Sequence, residues 1–345
     1  MKAGITSYGF YIPQYRIRVA DIAAVWGKNA HEIERGLCVM EKAVSTAAED
    51  SLTMAYESSS IAMKNHSTPI GALFFGTESP VYAVNPSSTI LGELLDIGNN
   101  YLAYDTQFAC KAATGALISA IALVESKQIK SALVVASDKA TGKPHDALEY
   151  TAASGSVSLI VGDTNPILLI EAWESFSSDT PDFWRREGIK YPSHGGRFTG
   201  KPSYFKHITG AVKALLSKTK SKPEDFTYAV FHMPNGKFPR EVGKRLGFTS
   251  EQLKSSLIVD AIGNPYSASS PLGLAATLDK AKPSQKIFMV SYGSGAGSDA
   301  FMWKTTGNIT QFQQKRKKMK RFVEDAVQVK TYIDYVTYLK QTHKI

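Results

Sequence analysis

The stretch "FACKAATGALISAIALVES", residues 108 to 126, constrains the fold more than any other part of the chain. It has helical composition, yet Ala112, Ala113, Ala116, Ile118, Ile121 and Leu123 leave it no polar stripe. A helix that is apolar on nearly every face must be covered on every side, by sheets or by another helix of the same kind. A chain of 345 residues with 43% hydrophobic content has the bulk to do this. Cys110 stands at the head of this helix, either as a small core residue or as a nucleophile. The partial positive charge of unpaired N–H groups at a helix N-terminus favours a thiolate there.

Around this helix, short apolar runs rich in branched and aromatic residues recur: "GALFFG", "SALVVAS", "SVSLIVG", "PILLIEAW", "YAVFHM" and "KIFMVSYG". They read as strands buried on both faces. Between them lie helical stretches over 49–65, 110–126, 204–217 and 269–280. Strands alternating with helices indicate an α/β architecture with layered sheets. The segment "YSASSPLGLAATLDKAKPSQKIFMVSYG" repeats the pattern of a small-residue helix, a polar turn and a buried strand. Cys110 follows Glu78 by 32 positions, and Asn264 follows His232 by the same 32. The chain therefore reads as two similar halves related by a pseudo-twofold axis, with both central helices packed together and the four polar residues drawn to one site. The expected organisation is 1–165 for the first half, meeting 166–310 at the turn "GDTNP", with 311–345 as a basic C-terminal extension.

Composition narrows the function classes. Cys38 and Cys110 are the only cysteines, which rules out a disulfide framework, and neither lies in a zinc-ligand spacing, so no metal site is expected. No apolar run is long enough for a signal peptide or a membrane span, so a cytoplasmic protein is expected. The formal charge is +9, but "QKRKKMKR" supplies Lys315, Arg316, Lys317, Lys318, Lys320 and Arg321, and the remainder is close to balanced. Such a run reads first as a solvated helix face, with docking on an acidic partner or nucleic acid as the alternatives. No nucleic-acid motif accompanies it, and the N-x-S/T triplets at Asn65 and Asn308 carry no weight in a cytoplasmic protein.

The chemistry-bearing residues sit at strand and helix ends. A thiolate at Cys110 would attack an acyl thioester and hold the acyl group. Glu78 ends the strand "GALFFGTE"; partly desolvated, such a carboxyl has a raised pKa and serves as a general base near neutral pH. Otherwise it is a loop carboxylate facing water. His232 ends "YAVFH", and the cation Lys237 follows closely, which suits an anionic substrate; a structural histidine is the alternative. Asn264, before Pro265, either forms a turn or supports the histidine and a developing oxyanion. "YGSGAGSDAF" lacks a dinucleotide-binding fingerprint, and its glycines let backbone N–H groups approach an acyl oxygen beside Ser294. The aromatic and cationic segment 180–207 reads as a packed surface loop or as a cover for a phosphate-bearing, adenine-containing ligand held through Arg197.

Taken together, "GTESPVYAVNPSSTI", "FACKAATG", "HDALEYTAASG", "DTPDFWRREG", "HGGRFTG", "FHMPNGKFP", "IGNPYSASSPLGLAA" and "SYGSGAGSDAF" resemble the archaeal type of hydroxymethylglutaryl-CoA synthase over nearly the full chain. The resemblance implies the thiolase fold, a five-layered αβαβα arrangement of two halves. It implies that Cys110 accepts acetyl from acetyl-CoA and that Glu78 deprotonates the acetyl methyl. His232 would position acetoacetyl-CoA and shuttle a proton, and Asn264 would support it. By the same resemblance Thr151 and Ser294 line the acyl pocket, and Arg197, Thr199 and Lys237 contact coenzyme A, with Arg240 or Lys244 as substitutes for one basic contact. No cofactor or metal is implied beyond the coenzyme A thioester substrates. The implied partners are a second copy in a homodimer, an acetoacetyl-CoA thiolase and a small zinc-ribbon/OB-fold protein. Two other readings remain: a type III ketoacyl-acyl carrier protein synthase, which needs no base at Glu78, and a catalytically silent scaffold subunit of a thiolase complex.

Overall fold

The computed structural model describes residues 2–64 and 66–345. Nine strands form one twisted sheet: β1 (Gly4–Tyr11), β2 (Ala72–Gly76), β3 (Leu102–Thr106), β4 (Ser131–Lys139), β5 (Ser154–Gly162), β6 (Leu168–Ser177), β7 (Tyr228–Phe231), β8 (Lys286–Val290) and β9 (Gly297–Thr305). Their order across the sheet is β7-β8-β9-β6-β1-β5-β4-β2-β3. The middle seam is thin, because β1 and β6 pair only through Gly4 with Leu169 and Ile5 with Leu168. On either side of it the strands repeat one plan, two antiparallel pairings followed by a parallel one. Among the described residues only β3 has no counterpart in the second half.

The helices complete the expected layers. Helix α1 (Ser51–Met63) covers the outer face of β1, β4 and β5, and α3 (Lys206–Thr219) covers β6 and β9. Helices α2 (Ala112–Glu125) and α4 (Ser269–Leu278) lie between the two half-sheets. Leu117 and Ile121 of α2 share one core with Leu272 and Leu274 of α4, Phe74 and Val157 of the first half-sheet, and Val230 and Met289 of the second. Alternation sorts the rest: Leu73 and Phe75 turn to the α1 side while Phe74 turns inward. Most of α2 is buried, but Ala122 is exposed and Ile118, Ser119 and Leu123 are only partly buried, so the expected cover on every side is incomplete.

Boundaries follow local chemistry. Helix α1 starts where the Asp50 carboxylate accepts the Thr53 N–H at 2.7 Å and the Thr53 hydroxyl accepts the Asp50 N–H at 2.8 Å. The expected helix over 49–65 is therefore shorter, and Asn65 lies outside the described residues. Strand β6 departs from the expected burial on both faces: beyond Ala172 every second residue is exposed, because α3 covers only one side of it. Strands β1, β3 and β9 stand where no strand was expected. In β1 the sequence GITSYGFY lacks a branched apolar run because α1 crosses it closely. A Cβ on Gly9 would fall 2.1 Å from the Ser58 carbonyl oxygen and 2.6 Å from the Ala62 nitrogen.

The last residues close back on the first. Helix α5 (Asn308–Lys318) carries much of the basic run, and α6 (Val323–Gln328) follows it. Thr331–Tyr332 then pairs with Tyr15–Arg16, whose strand pairs in turn with Glu41–Val44. The run is not a uniformly solvated face: Arg316 is buried, while its neighbours Lys315, Lys317 and Lys318 are exposed. Gly9→Ala is expected to push α1 off β1 and cost about 1–3 kcal/mol, as overpacking of a close contact does, read as a lower denaturant midpoint at unchanged m-value.

Candidate active site

Cys110 sits two residues ahead of α2, in a turn made tight by Ala109, whose φ of 46° is left-handed. Both halves hold this turn. Lys111 is buried and its Nζ lies 3.0 Å from Asp299 Oδ1 on β9 and 3.9 Å from the centre of the Phe108 ring. Asp299 also accepts hydrogen bonds from the Thr114 and Ser175 hydroxyls, each at 2.7 Å. A lysine charge is tolerable there because it is paired and its partner is fully hydrogen-bonded. The Gly-rich turn after β8 packs on the other side, where a Cβ on Gly293 would lie 2.5 Å from the Phe108 carbonyl oxygen. Only glycine permits that approach, and it brings Ser294 alongside the cysteine turn.

Glu78 follows β2. Its position is set by Asp138, a buried carboxylate at the end of β4. Asp138 Oδ1 accepts from Glu78 N–H at 2.7 Å, Ser79 N–H at 3.0 Å, and the Thr77 and Ser79 hydroxyls at 2.8 and 2.7 Å. Its Oδ2 accepts from Ser267 N–H at 2.9 Å, just ahead of α4 in the second half. Glu78 Oε1 is buried without a hydrogen-bond partner, although the residue as a whole is only half-buried. Burial, reinforced by the Asp138 charge, pushes the Glu78 carboxyl up to about 8, against the opposing pull of the Cys110 thiol and then of Arg185.

The same surroundings reverse one expectation. Burial, followed by the charges of Glu78 and Asp138, holds the Cys110 thiol well above the ordinary cysteine range. The helix terminus does not prevail, so the resting nucleophile is a neutral thiol beside a carboxyl that burial has also raised. Tyr266, with φ of 47°, packs on Cys110 and Ala152, and its hydroxyl is buried without a partner. Asn264 is buried and tied to Thr151: its N–H donates to the Thr151 carbonyl at 2.7 Å, while its Oδ1 accepts the Tyr266 N–H at 3.0 Å. Tyr266 thus packs on Cys110, shares a cleft with Glu78 and is tied through Asn264 to Thr151.

His232 follows β7. Its N–H donates to the Val290 carbonyl at 2.9 Å, and its own carbonyl accepts the Tyr204 hydroxyl at 2.7 Å. Its Nδ1 is buried without a partner, and burial lowers the ring to about 3, so the imidazole is neutral. The ring lies 5.9 Å from that of Tyr292, which neighbours Ser294 and donates to Asp182 at 3.1 Å. Tyr292 thus links the histidine to the turn that abuts Cys110. Arg197 and Lys237 are exposed, and Thr199 is partly buried. Their two segments meet where Gly200 faces the Phe238 ring. Arg240 is committed elsewhere, in an ion pair with Asp260 that also binds the Gly236 carbonyl. Among the described residues no group of three or more His, Cys, Asp or Glu side chains is placed to hold a metal ion.

Two residues escaped the sequence reading. Asp138 ends "SALVVASD" as Glu78 ends its own strand, and the same argument about a carboxyl closing a buried strand would have found it. Arg185 donates to the Glu78 carbonyl oxygen at 3.3 Å and lines a cleft of about 200 Å³ with Glu78, Lys139 and Tyr266. It lies in the cationic segment singled out for Arg197, and nothing in the spacing favoured one arginine over the other.

Residues 1–166 match the family model described as hydroxymethylglutaryl-coenzyme A synthase N terminal, and residues 216–305 match that of the 3-oxoacyl-[acyl-carrier-protein] synthase III C terminal. The chain is 50% identical over 345 residues to the hydroxymethylglutaryl-CoA synthase of Archaeoglobus fulgidus, covering 99% of each chain. It is 48% identical over 350 residues to that of Methanococcoides burtonii, covering 100% of this chain and 99% of the relative. The crystal structure of a hydroxymethylglutaryl-CoA synthase complexed with CoA superposes with a TM-score of 0.90 at 25% identity, over 99% of this chain and 90% of the other. The layered architecture is that of the thiolase fold. In a background of Cys38→Ser, Glu78→Gln is expected to speed iodoacetamide alkylation of Cys110 several-fold at pH 8, because the carboxylate that holds the thiol up is gone; an unchanged or slower rate contradicts the coupling.

Proposed function

We propose that this chain, which belongs to the hydroxymethylglutaryl-CoA synthase family, condenses acetyl-CoA with acetoacetyl-CoA through an acetyl group held on Cys110. Membership makes it an acyltransferase of the thiolase fold and places its reaction in the mevalonate pathway. The assignment of roles rests on one observation above all, the pairing of the buried Cys110 thiol with a carboxyl lifted to about 8 and lacking a hydrogen-bond partner at Oε1.

The Cys110 sulfur attacks the thioester carbonyl of acetyl-CoA, its proton passes to the departing CoA sulfur, and acetyl-Cys110 forms. Ionised Glu78 then removes a proton from the acetyl methyl, and the resulting carbanion adds to the ketone carbon of acetoacetyl-CoA. Neutral His232 positions that thioester and shuttles to the new alkoxide the proton that Glu78 took from the methyl, supported by Asn264. Water cleaves the Cys110 thioester and releases hydroxymethylglutaryl-CoA. Thr151 and Ser294 line the acyl pocket, and Arg197, Thr199 and Lys237 receive coenzyme A. On this reading 1–165 supplies nucleophile and base, 166–310 supplies His232 and Asn264, and 311–345 is an extension outside the chemistry.

A carboxyl placed beside the cysteine separates this reading from the type III ketoacyl synthase reading, because decarboxylation supplies that carbanion without a base. The family match of 216–305 concerns the half that both enzyme types share. A silent scaffold would have no use for the same pairing.

The proposal includes assembly in the cytoplasm. Strand β3 ends the sheet with one edge unpaired, Leu102 on it is 48% exposed, and Tyr82 and Val84 in the loop after β2 are 53% and 90% exposed. An open edge of this kind suits pairing with the same strand of a second copy. The resemblance adds a thiolase and a zinc-ribbon/OB-fold protein as further partners.

The test begins with radiolabelled acetyl-CoA: label on Cys110 that moves into hydroxymethylglutaryl-CoA after acetoacetyl-CoA is added is expected. Transfer to malonyl donors alone would turn the assignment to the ketoacyl synthases. Glu78→Ala should keep the label yet lose condensation by at least two orders of magnitude, the usual worth of a general base. Starting from acetyl-enzyme, the wild-type condensation rate should rise with pH through about 8, where Glu78 becomes ionised, with no limb from His232 above pH 5. Leu102→Lys should convert the dimer to monomer by light scattering.

A further inference from the structure

Sharing no lining residue with the cleft beside Glu78, a groove runs along β1 between the end of α1 and the helices α5 and α6. Its floor passes from Thr6, Ser7 and Tyr8 to Phe10, Tyr11 and Ile12, a span of about 20 Å for extended chain. It has two compartments that share Ile61, Arg316 and Arg321. The first, about 430 Å³, is walled by Lys64, Lys130, Lys315, Arg316 and Arg321, with no carboxylate in its lining. The second, about 240 Å³, is lined chiefly by apolar groups, among them Phe10, Ile12, Ile61, Ala326 and Val329.

The divider is rigid. The Arg316 guanidinium lies 4.3 Å from the Tyr8 ring centre and 5.2 Å from that of Phe10, donates to the Tyr8 carbonyl at 3.2 Å and faces Asp279 at 3.5 Å. Asp279 neutralises that one charge. Among the described residues, Lys64, Lys130, Lys315, Lys320 and Arg321 form no ion pair. Four unneutralised cations therefore face one concave polar space, where the potentials of like charges add and an anion is drawn in. The volume lies within the range of small-molecule sites.

We infer that this groove binds a soluble phosphorylated amphiphile, its phosphate or diphosphate head among Lys64, Lys130, Lys315 and Arg321 and its hydrocarbon tail along Phe10, Ile12 and Val329. Charge complementarity selects the head: a phosphate offers several acceptor oxygens to several cations at once. The second compartment selects the tail, since an apolar chain laid on Phe10 and Ile12 leaves water. A bilayer surface fits less well than a free molecule, because the apolar compartment is a recess floored by buried β1 residues rather than a protruding face. The basic run thus acquires a function that separates its members: Lys315, Arg316 and Arg321 wall the head compartment, while Lys317 and Lys318 point away from it. This inference is independent of the reaction assigned to Cys110.

The experiment is calorimetric titration of the full-length protein with monodecyl phosphate below its micelle concentration, beside inorganic phosphate and decanol. Monodecyl phosphate is expected to bind at least tenfold more tightly than either fragment. Lys64→Ala/Lys315→Ala should weaken it tenfold or more, and Ala326→Trp should reduce its affinity to that of inorganic phosphate, with thermal melts confirming that both variants fold. Equal affinity for monodecyl and inorganic phosphate, affinity that neither variant changes, or binding confined to anionic phospholipid vesicles would each overturn the proposal.

Discussion

Five hydrogen bonds converge on the Asp138 carboxylate, four from the turn that carries Glu78 and one from the Ser267 N–H at the head of α4. A buried carboxylate is tolerable only when donors surround it, and here the donors come from both halves of the molecule. The group that satisfies Asp138 is thereby the group that assembles the site. Its charge also keeps Glu78 from ionising early, so one residue sets both the place and the basicity of its neighbour. The Lys111–Asp299 pair performs the complementary task for the cysteine turn, anchoring the head of α2 in β9. The β1–β6 seam is only two residue pairs wide, which leaves these polar anchors and the α2–α4 core to hold the halves in register.

The electrostatics follow from dryness. The Cys110 thiol and the Glu78 carboxyl are raised and the His232 ring is lowered, each first of all by burial. All three therefore rest uncharged near neutrality, which removes the cost of desolvating ions before substrate arrives. Glu78 Oε1, His232 Nδ1 and the Tyr266 hydroxyl are each buried without a hydrogen-bond partner.

Much of this was legible before any coordinates. Helix α2 announced most of its burial because no face of it was polar, and the repeated strand plan agrees with the two halves read from the equal spacing of Glu78 to Cys110 and His232 to Asn264, although a strand and a helix fill the first connection and three helices the second. What stayed hidden has physical reasons. Strand β1 traded branched residues for glycine to let α1 approach, erasing the pattern that marks a strand. Strand β9 begins inside a glycine-rich segment that reads as loop. The thiolate expectation considered the helix terminus alone, whereas two carboxyls and the surrounding apolar groups are brought to Cys110 only by the tertiary fold. Asp138 ends a buried strand as Glu78 does, but what it binds was hidden, because its donors lie 59 to 129 residues away.

The return of residues 331–332 to the strand at 15–16 has a bearing on synthesis. On a ribosome the first strand emerges early, but its parallel neighbour is made some three hundred residues later. The same delay applies to Lys42, buried against the Tyr338 hydroxyl at 3.1 Å and a partner 296 positions away. Until those residues emerge, the outer strand 15–18 keeps an open edge and the Lys42 ammonium lacks part of its cover. The larger sheet can form as the chain lengthens, so the small three-stranded sheet is the last piece to be completed, and the nascent chain must carry an unfinished edge through nearly its whole translation.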